Sequence, residues 1–113
     1  MYYVYIVRCS DGTHYAGLAR YLEKRMREHV FHLAACARYT RARQVVALDA
    51  LWQTETRPDA ARLEALIKTL PLAKKRQLIG RPDALGDFFP GRLDPAVYAA
   101  IPNPSLADYL PRL

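Results

Sequence analysis

Two phenols, a guanidinium, an imidazole and a carboxylate are spread along this chain in a suggestive order. Tyr5 and Tyr15 stand in two short strand-like runs, Tyr3-Val4-Tyr5-Ile6 and Tyr15-Ala16-Gly17. Arg25 and His29 follow four residues apart, which brings them together on one helical face. Glu64 is a lone carboxylate beside the apolar stripe of a later helix. A guanidinium grips phosphate oxygens bidentately, and an imidazole donates or relays a proton. A single carboxylate can hold Mg²⁺ when waters and substrate phosphates complete the octahedron. The set therefore suits metal-assisted phosphodiester chemistry. An ordinary phenol, with a pKa of about 10, is a poor base at neutral pH, so a tyrosine base requires the cation and the metal to converge on it. Plainer explanations exist for each piece. Strands favour tyrosine, Arg25 and His29 could share a solvated face with Lys24, Arg27 and Glu28, and Glu64 could pair only with Lys68.

The elements that must position these groups are legible in outline. Tyr2 to Cys9 is rich in aromatic and β-branched residues and reads as a strand. Ser10-Asp11-Gly12 is a turn, and Thr13 to Leu18 reads as the returning strand. A two-residue turn would put Tyr5 and Tyr15 on opposite faces. A three-residue loop, with Gly12 left-handed, sets Tyr5 opposite Gly17 and Val7 opposite Tyr15, so both phenols share a face. The second register is the one expected here, with Gly17 leaving open space beside the Tyr5 ring.

Residues 21–33 read as a helix with Leu22, Met26 and Val30 inward, and 44–54 as a third strand anchored by Val46, Leu48 and Leu51. A helix starts around Thr56–Pro58 and carries Leu63, Leu66, Ile67 and Leu70 as its apolar set. Pro71 ends it, and a short basic helix spans about 72–79. Beyond Gly80 the composition shifts: residues 83–113 hold five of the eight prolines together with Phe88, Phe89, Tyr98 and Tyr109. Asp94-Pro95 and Ser105 look like starts of short helices, and the aromatics argue for packing on the domain or on a second copy.

A length of 113 residues suits one domain, divided here into residues 1–82 and an extension, 83–113. Residues 1–82 carry 15 Lys/Arg against 7 Asp/Glu, whereas 83–113 carry 2 against 4. That basic excess favours a polyanion, because neutralised phosphates release counterions; a solubility charge is the plain alternative. Arg38, Tyr39, Arg41 and Arg43 mix cations with an aromatic, as suits backbone phosphates and base stacking, and Lys74, Lys75 and Arg76 form a second basic patch. Cys9 and Cys36 have no ligand-like spacing and read as free, buried thiols. No apolar run is long enough to span a bilayer, and the chain opens in a strand without a secretion signal, which points to the cytoplasm.

The ordered set of Tyr3-Val4-Tyr5-Ile6, Tyr15-Ala16-Gly17, Leu22-Glu23-Lys24-Arg25, Glu28-His29, Arg38-Tyr39-Thr40-Arg41 and Leu63-Glu64-Ala65-Leu66-Ile67-Lys68 resembles the GIY-YIG nuclease superfamily. It is most similar to the small bacterial UPF0213 branch, over about residues 1–80. The resemblance implies an α/β (α+β) fold, a three-stranded antiparallel sheet flanked by helices. It also implies an endonuclease that nicks DNA, with RNA not excluded, using one Mg²⁺ or Mn²⁺. Tyr5 and Tyr15 with Gly17 stand for the two half-motifs, Arg25 for the phosphate-stabilising arginine, His29 for the histidine one turn later, and Glu64 for the metal ligand. Tyr5 is the expected general base, with Tyr15 orienting water or phosphate. Family company suggests DNA repair.

Three departures stand out. Leu18-Ala19-Arg20-Tyr21 replaces a Thr/Lys- and Asp-rich stretch, Val30 replaces an asparagine, and 31–37 is apolar where relatives are Gly- and Lys-rich. They motivate two further readings: a nucleic-acid-binding module with an idle centre, and a catalytic subunit that needs a partner. Residues 31–37 and the extension are the expected surfaces for that partner or for a homodimer.

Overall fold

The computed structural model describes residues 1–32 and 43–110. Arg38, Tyr39, Arg41, Cys36 and most of the apolar 31–37 segment lie outside the described residues. Strand β1 (Tyr2–Cys9) pairs antiparallel with β2 (His14–Ala19) on one side and with β3 (Val45–Thr54) on the other. A two-residue strand, β4 (Ala99–Ala100), adds to the far edge of β3, giving the order β2-β1-β3-β4. The sheet thus has four strands where three were expected, and the fourth comes from the extension. The class is α+β, as expected.

The hairpin register is the three-residue one. Cys9 and Thr13 are bridged by a 2.9 Å backbone bond, and Gly12 has φ of 84°, the left-handed conformation that such a loop reserves for glycine. Tyr5 accordingly faces Gly17, and Val7 faces Tyr15.

Helix α1 (Leu22–Val30) covers one sheet face, where Leu22 and Met26 join Tyr5, Val7, Leu48 and Leu51 in a buried cluster. Helix α2 (Arg57–Thr69) covers the other face through Ala60, Leu63, Leu66 and Ile67, against Val4, Ile6, Ala16 and Trp52. Its start is set locally: Thr56 Oγ1 accepts from the Asp59 amide, and Pro58 falls in the first turn where it is tolerated. Leu70 then turns extended before Pro71, and α3 (Leu72–Gly80) follows.

One anchor is corrected. Val46 is 47% exposed, because β3 carries an extra residue between the partners of Arg8 and Cys9. That bulge shifts the alternation, and Val45 takes the buried place. A second irregularity leaves Asp49 between the partners of Ile6 and Val7, where its carboxylate lies 3.2 Å from both Arg8 Nε and His14 Nε2.

The extension packs on its own chain. Helix α4 (Leu85–Phe88) and Phe89 reach the α2-side core, as does Tyr98. The two segments expected as short helices form 3₁₀ turns, Pro95–Val97 and Leu106–Tyr109. After β4 the chain crosses to the α1 side, where Ile101, Leu106 and Tyr109 cover the second cluster. Three side chains pin it: Trp52 Nε1 donates to the Pro82 carbonyl at 2.7 Å, Thr54 Oγ1 to Val97 at 2.8 Å, and Tyr98 Oη to Asp59 at 2.7 Å.

Candidate active site

The β1–β2 hairpin and α1 bring four of the five chemistry-bearing residues together. Tyr5 is 0% exposed, and its ring lies over Gly17, where an added Cβ would meet Oη and come within 2.6 Å of Cζ. The space expected beside the ring is therefore filled by the ring itself. Tyr5 Oη lies 2.7 Å from His29 Nε2 and receives a hydrogen bond from Arg25 Nε at 3.4 Å. Helical spacing does what was expected of it: Arg25 and His29 converge on one phenol from successive turns. A guanidinium can only donate, so the Tyr5 oxygen accepts from Arg25 and its own proton points to His29 Nε2. That assigns the imidazole proton to Nδ1.

His29 is not on a solvated face; it is 0% exposed. The reason is packing: Tyr5 and Tyr15 both set ring edges against the imidazole, with centroids 5.6 Å away in each case. Burial, reinforced by the Arg25 charge, lowers its pKa to about 4, so the ring is neutral near pH 7. Burial pushes the Tyr5 phenol well above its ordinary value, only partly offset by the Arg25 hydrogen bond and charge. Tyr15 and Glu64 also lie close enough for their charges to disfavour phenolate at Tyr5.

Glu64 comes from the opposite helix, α2, at the sheet edge formed by β2. Its side chain is 23% exposed and forms the expected i,i+4 pair with Lys68, at 3.8 Å. The Lys68 ammonium in turn sits 5.5 Å from the centre of the Tyr15 ring. A continuous chain of contacts thus runs Glu64, Lys68, Tyr15, His29, Tyr5, Arg25. It continues to Glu28, which the sequence reading had left among solvated charges. Glu28 is buried, and its carboxylate accepts from Arg25 Nη1 at 3.0 Å. The signal for it was present in the i,i+3 spacing, which aims an acid at the arginine that also serves Tyr5.

Among the described residues no group of three or more His, Cys, Asp or Glu could enclose a metal. One half-open carboxylate beside phenols is instead a donor set that fits a hydrated Mg²⁺ or Mn²⁺ completed by substrate phosphates.

The basic residues expected on the nucleic-acid track are placed apart from this chain of contacts. Arg43 pairs with Asp11 at 3.3 Å, bracing the hairpin loop. Lys74, Lys75 and Arg76 ride on α3, where Lys74 meets Gln77 at 3.5 Å. Gly17 is buried beneath Tyr5.

A family model described as the GIY-YIG catalytic domain matches residues 1–77. A UPF0213 protein of Fusobacterium nucleatum is 37% identical over 83 residues, covering 74% of this chain and 81% of its own. One from Halobacterium salinarum is 37% identical over 78 residues, 69% of this chain and 99% of its own. One from Desulfotalea psychrophila is 40% identical over 78 residues, 69% of this chain and 70% of its own. No solved structure matches significantly. No helix among the described residues is long and apolar enough to cross a membrane.

Proposed function

The chain belongs to the GIY-YIG catalytic-domain family, and from that premise we propose that it is a metal-dependent endonuclease that nicks DNA. A nuclease-type function follows from the domain; the residues and the order of events are our reading. The observation that carries it is the hydroxyl of Tyr5, on which His29, Arg25 and the charge of Glu64 converge.

Glu64 would hold one Mg²⁺ or Mn²⁺, which supplies positive charge to the attacked phosphate. Arg25, aimed by Tyr5 and Glu28, adds its own charge to the phosphate oxygens as negative charge builds there. Water attacks phosphorus, and the bond to the leaving strand end breaks with its electron pair on the leaving oxygen. The water proton passes to Tyr5 Oη as the phenolic proton moves to His29 Nε2. The relay avoids a standing phenolate, which burial disfavours; the imidazolium it forms is disfavoured by burial and by Arg25 in turn, so it is short-lived and gives its proton up to the leaving oxygen. Tyr15 orients the water or phosphate from beside His29. One such centre cuts one strand, so a double-strand break takes a dimer or two encounters.

Labelled duplex, single-stranded, flap and branched DNA, incubated with Mg²⁺ or Mn²⁺, tests this reading. Cleavage that chelator abolishes and Glu64→Gln slows at least about a hundredfold, the scale of one lost electrostatic contact at a reacting group, is the expected result. The full burial of Tyr5 favours one second reading, a nucleic-acid-binding module whose nuclease centre is idle. DNA binding without cleavage, unaffected by Glu64→Gln, would select it.

A further inference from the structure

On the α1 side of the sheet, the start of α1 and the end of the extension flank an open cleft of about 590 Å³ that the catalytic reading leaves unused. The volume lies within the usual range for small-molecule sites. Its walls combine aromatic rings with cations. Tyr3, Tyr21 and Tyr109 line it together with Arg20, Lys24 and Arg27.

Tyr21 is 67% exposed, so its ring is accessible from the cleft. The Arg20 guanidinium carbon lies 5.8 Å from the Tyr21 ring centre and 5.7 Å from that of Tyr2, so an exposed cation sits against two phenol rings. Tyr109 packs with Tyr3 against the cluster that holds Leu22 and Met26, which sets the end of the extension against the strand and helix walls. Tyr3 shares a strand face with Tyr5, two residues away and roughly 7 Å along the strand. The cleft is thus continuous with the elements that carry the catalytic groups. Arg20 and Tyr21 also fall in the segment that departs from the family pattern.

Resting on the nuclease reading, we propose that this cleft receives one unpaired nucleotide of the DNA strand, its base stacked on Tyr21 and its phosphate held by Arg20, Lys24 and Arg27. Base stacking on tyrosine is tolerant of sequence, and three cations outweigh the one carboxylate, Glu23, that shares the lining. The enzyme would then prefer sites where duplex gives way to single strand.

Fluorescence anisotropy of the full chain in EDTA, with a short labelled oligothymidylate and a blunt duplex of equal length, tests this without any turnover. Failure to cleave DNA would therefore sink the nuclease reading and leave this measurement standing. Tyr21→Ala should weaken oligothymidylate binding about tenfold, while Tyr21→Phe retains it and the duplex affinity of both variants stays within about twofold. Equal losses on both probes, no loss on either, or no oligothymidylate binding by the wild type would each overturn the proposal. The last of these would leave the cleft to a protein contact.

Discussion

Tyr5 is held neutral by its surroundings, and so is the His29 imidazole at its hydroxyl. Both facts follow from burial, yet they have different consequences with pH. His29 has a folded pKa of about 4, against an ordinary value of about 6.5. Between those values the unfolded chain binds more protons than the folded one, so stability rises with pH across that window and is lost as pH falls through it. The shift corresponds to about 3 kcal/mol in full. Glutamine at this position cannot titrate. The stability advantage of wild type over His29→Gln, from denaturant unfolding, should narrow by that order as pH falls from about 7 to about 4. A gap independent of pH would show that His29 is not buried neutral. Pairing Arg25 with His29 was legible from their spacing. The depth of His29 was not, because it depends on two aromatic rings contributed by the hairpin. Glu28 was missed for a related reason: among Lys24, Arg27 and Glu23 it reads as one more surface charge.

At the scale of elements, the hairpin register decides whether a site exists at all. A one-residue slip would send Tyr5 and Tyr15 to opposite faces. Gly12 prevents it by accepting a left-handed turn, and Gly17 then lets the Tyr5 ring lie flat over β2. Alanine at position 17 has no room, because its Cβ would sit against a ring that is itself fully enclosed. Gly17→Ala should cost about 1–3 kcal/mol by overpacking and should depress nicking as the hydroxyl moves. A variant with wild-type melting and activity would contradict the packing described. Turn residues and caps act locally, and so the hairpin and the start of α2 could be read from sequence. Val46 could not be read, because a bulge is an agreement between two strands and leaves no mark in either one alone.

For the whole molecule, the extension is a strap that joins both sheet faces and completes the α2-side core. The family match ends at residue 77, yet Leu85, Phe89 and Tyr98 are buried with Trp52. Phe89→Ala should therefore cost about 3–5 kcal/mol in denaturant unfolding, the scale of a large core truncation. A loss below about 1 kcal/mol would mean the strap is peripheral. Aromatic composition announced that this segment packs. Where it packs could not be read, because β4 and the bonds to Pro82, Val97 and Asp59 join residues distant in sequence. The hairpin and the two helices gather His29, Arg25 and Glu64 around the buried hydroxyl of Tyr5, and the part proposed for that hydroxyl in phosphodiester cleavage is the claim to test first. Nicking of supercoiled plasmid in Mg²⁺ or Mn²⁺ should be compared for wild type, Tyr5→Phe and Glu64→Gln, each checked for native folding. The account predicts metal-dependent nicking by the wild type and a loss of at least about a hundredfold in both variants. Nicking that Tyr5→Phe retains at the wild-type rate, or that persists in chelator, would contradict it.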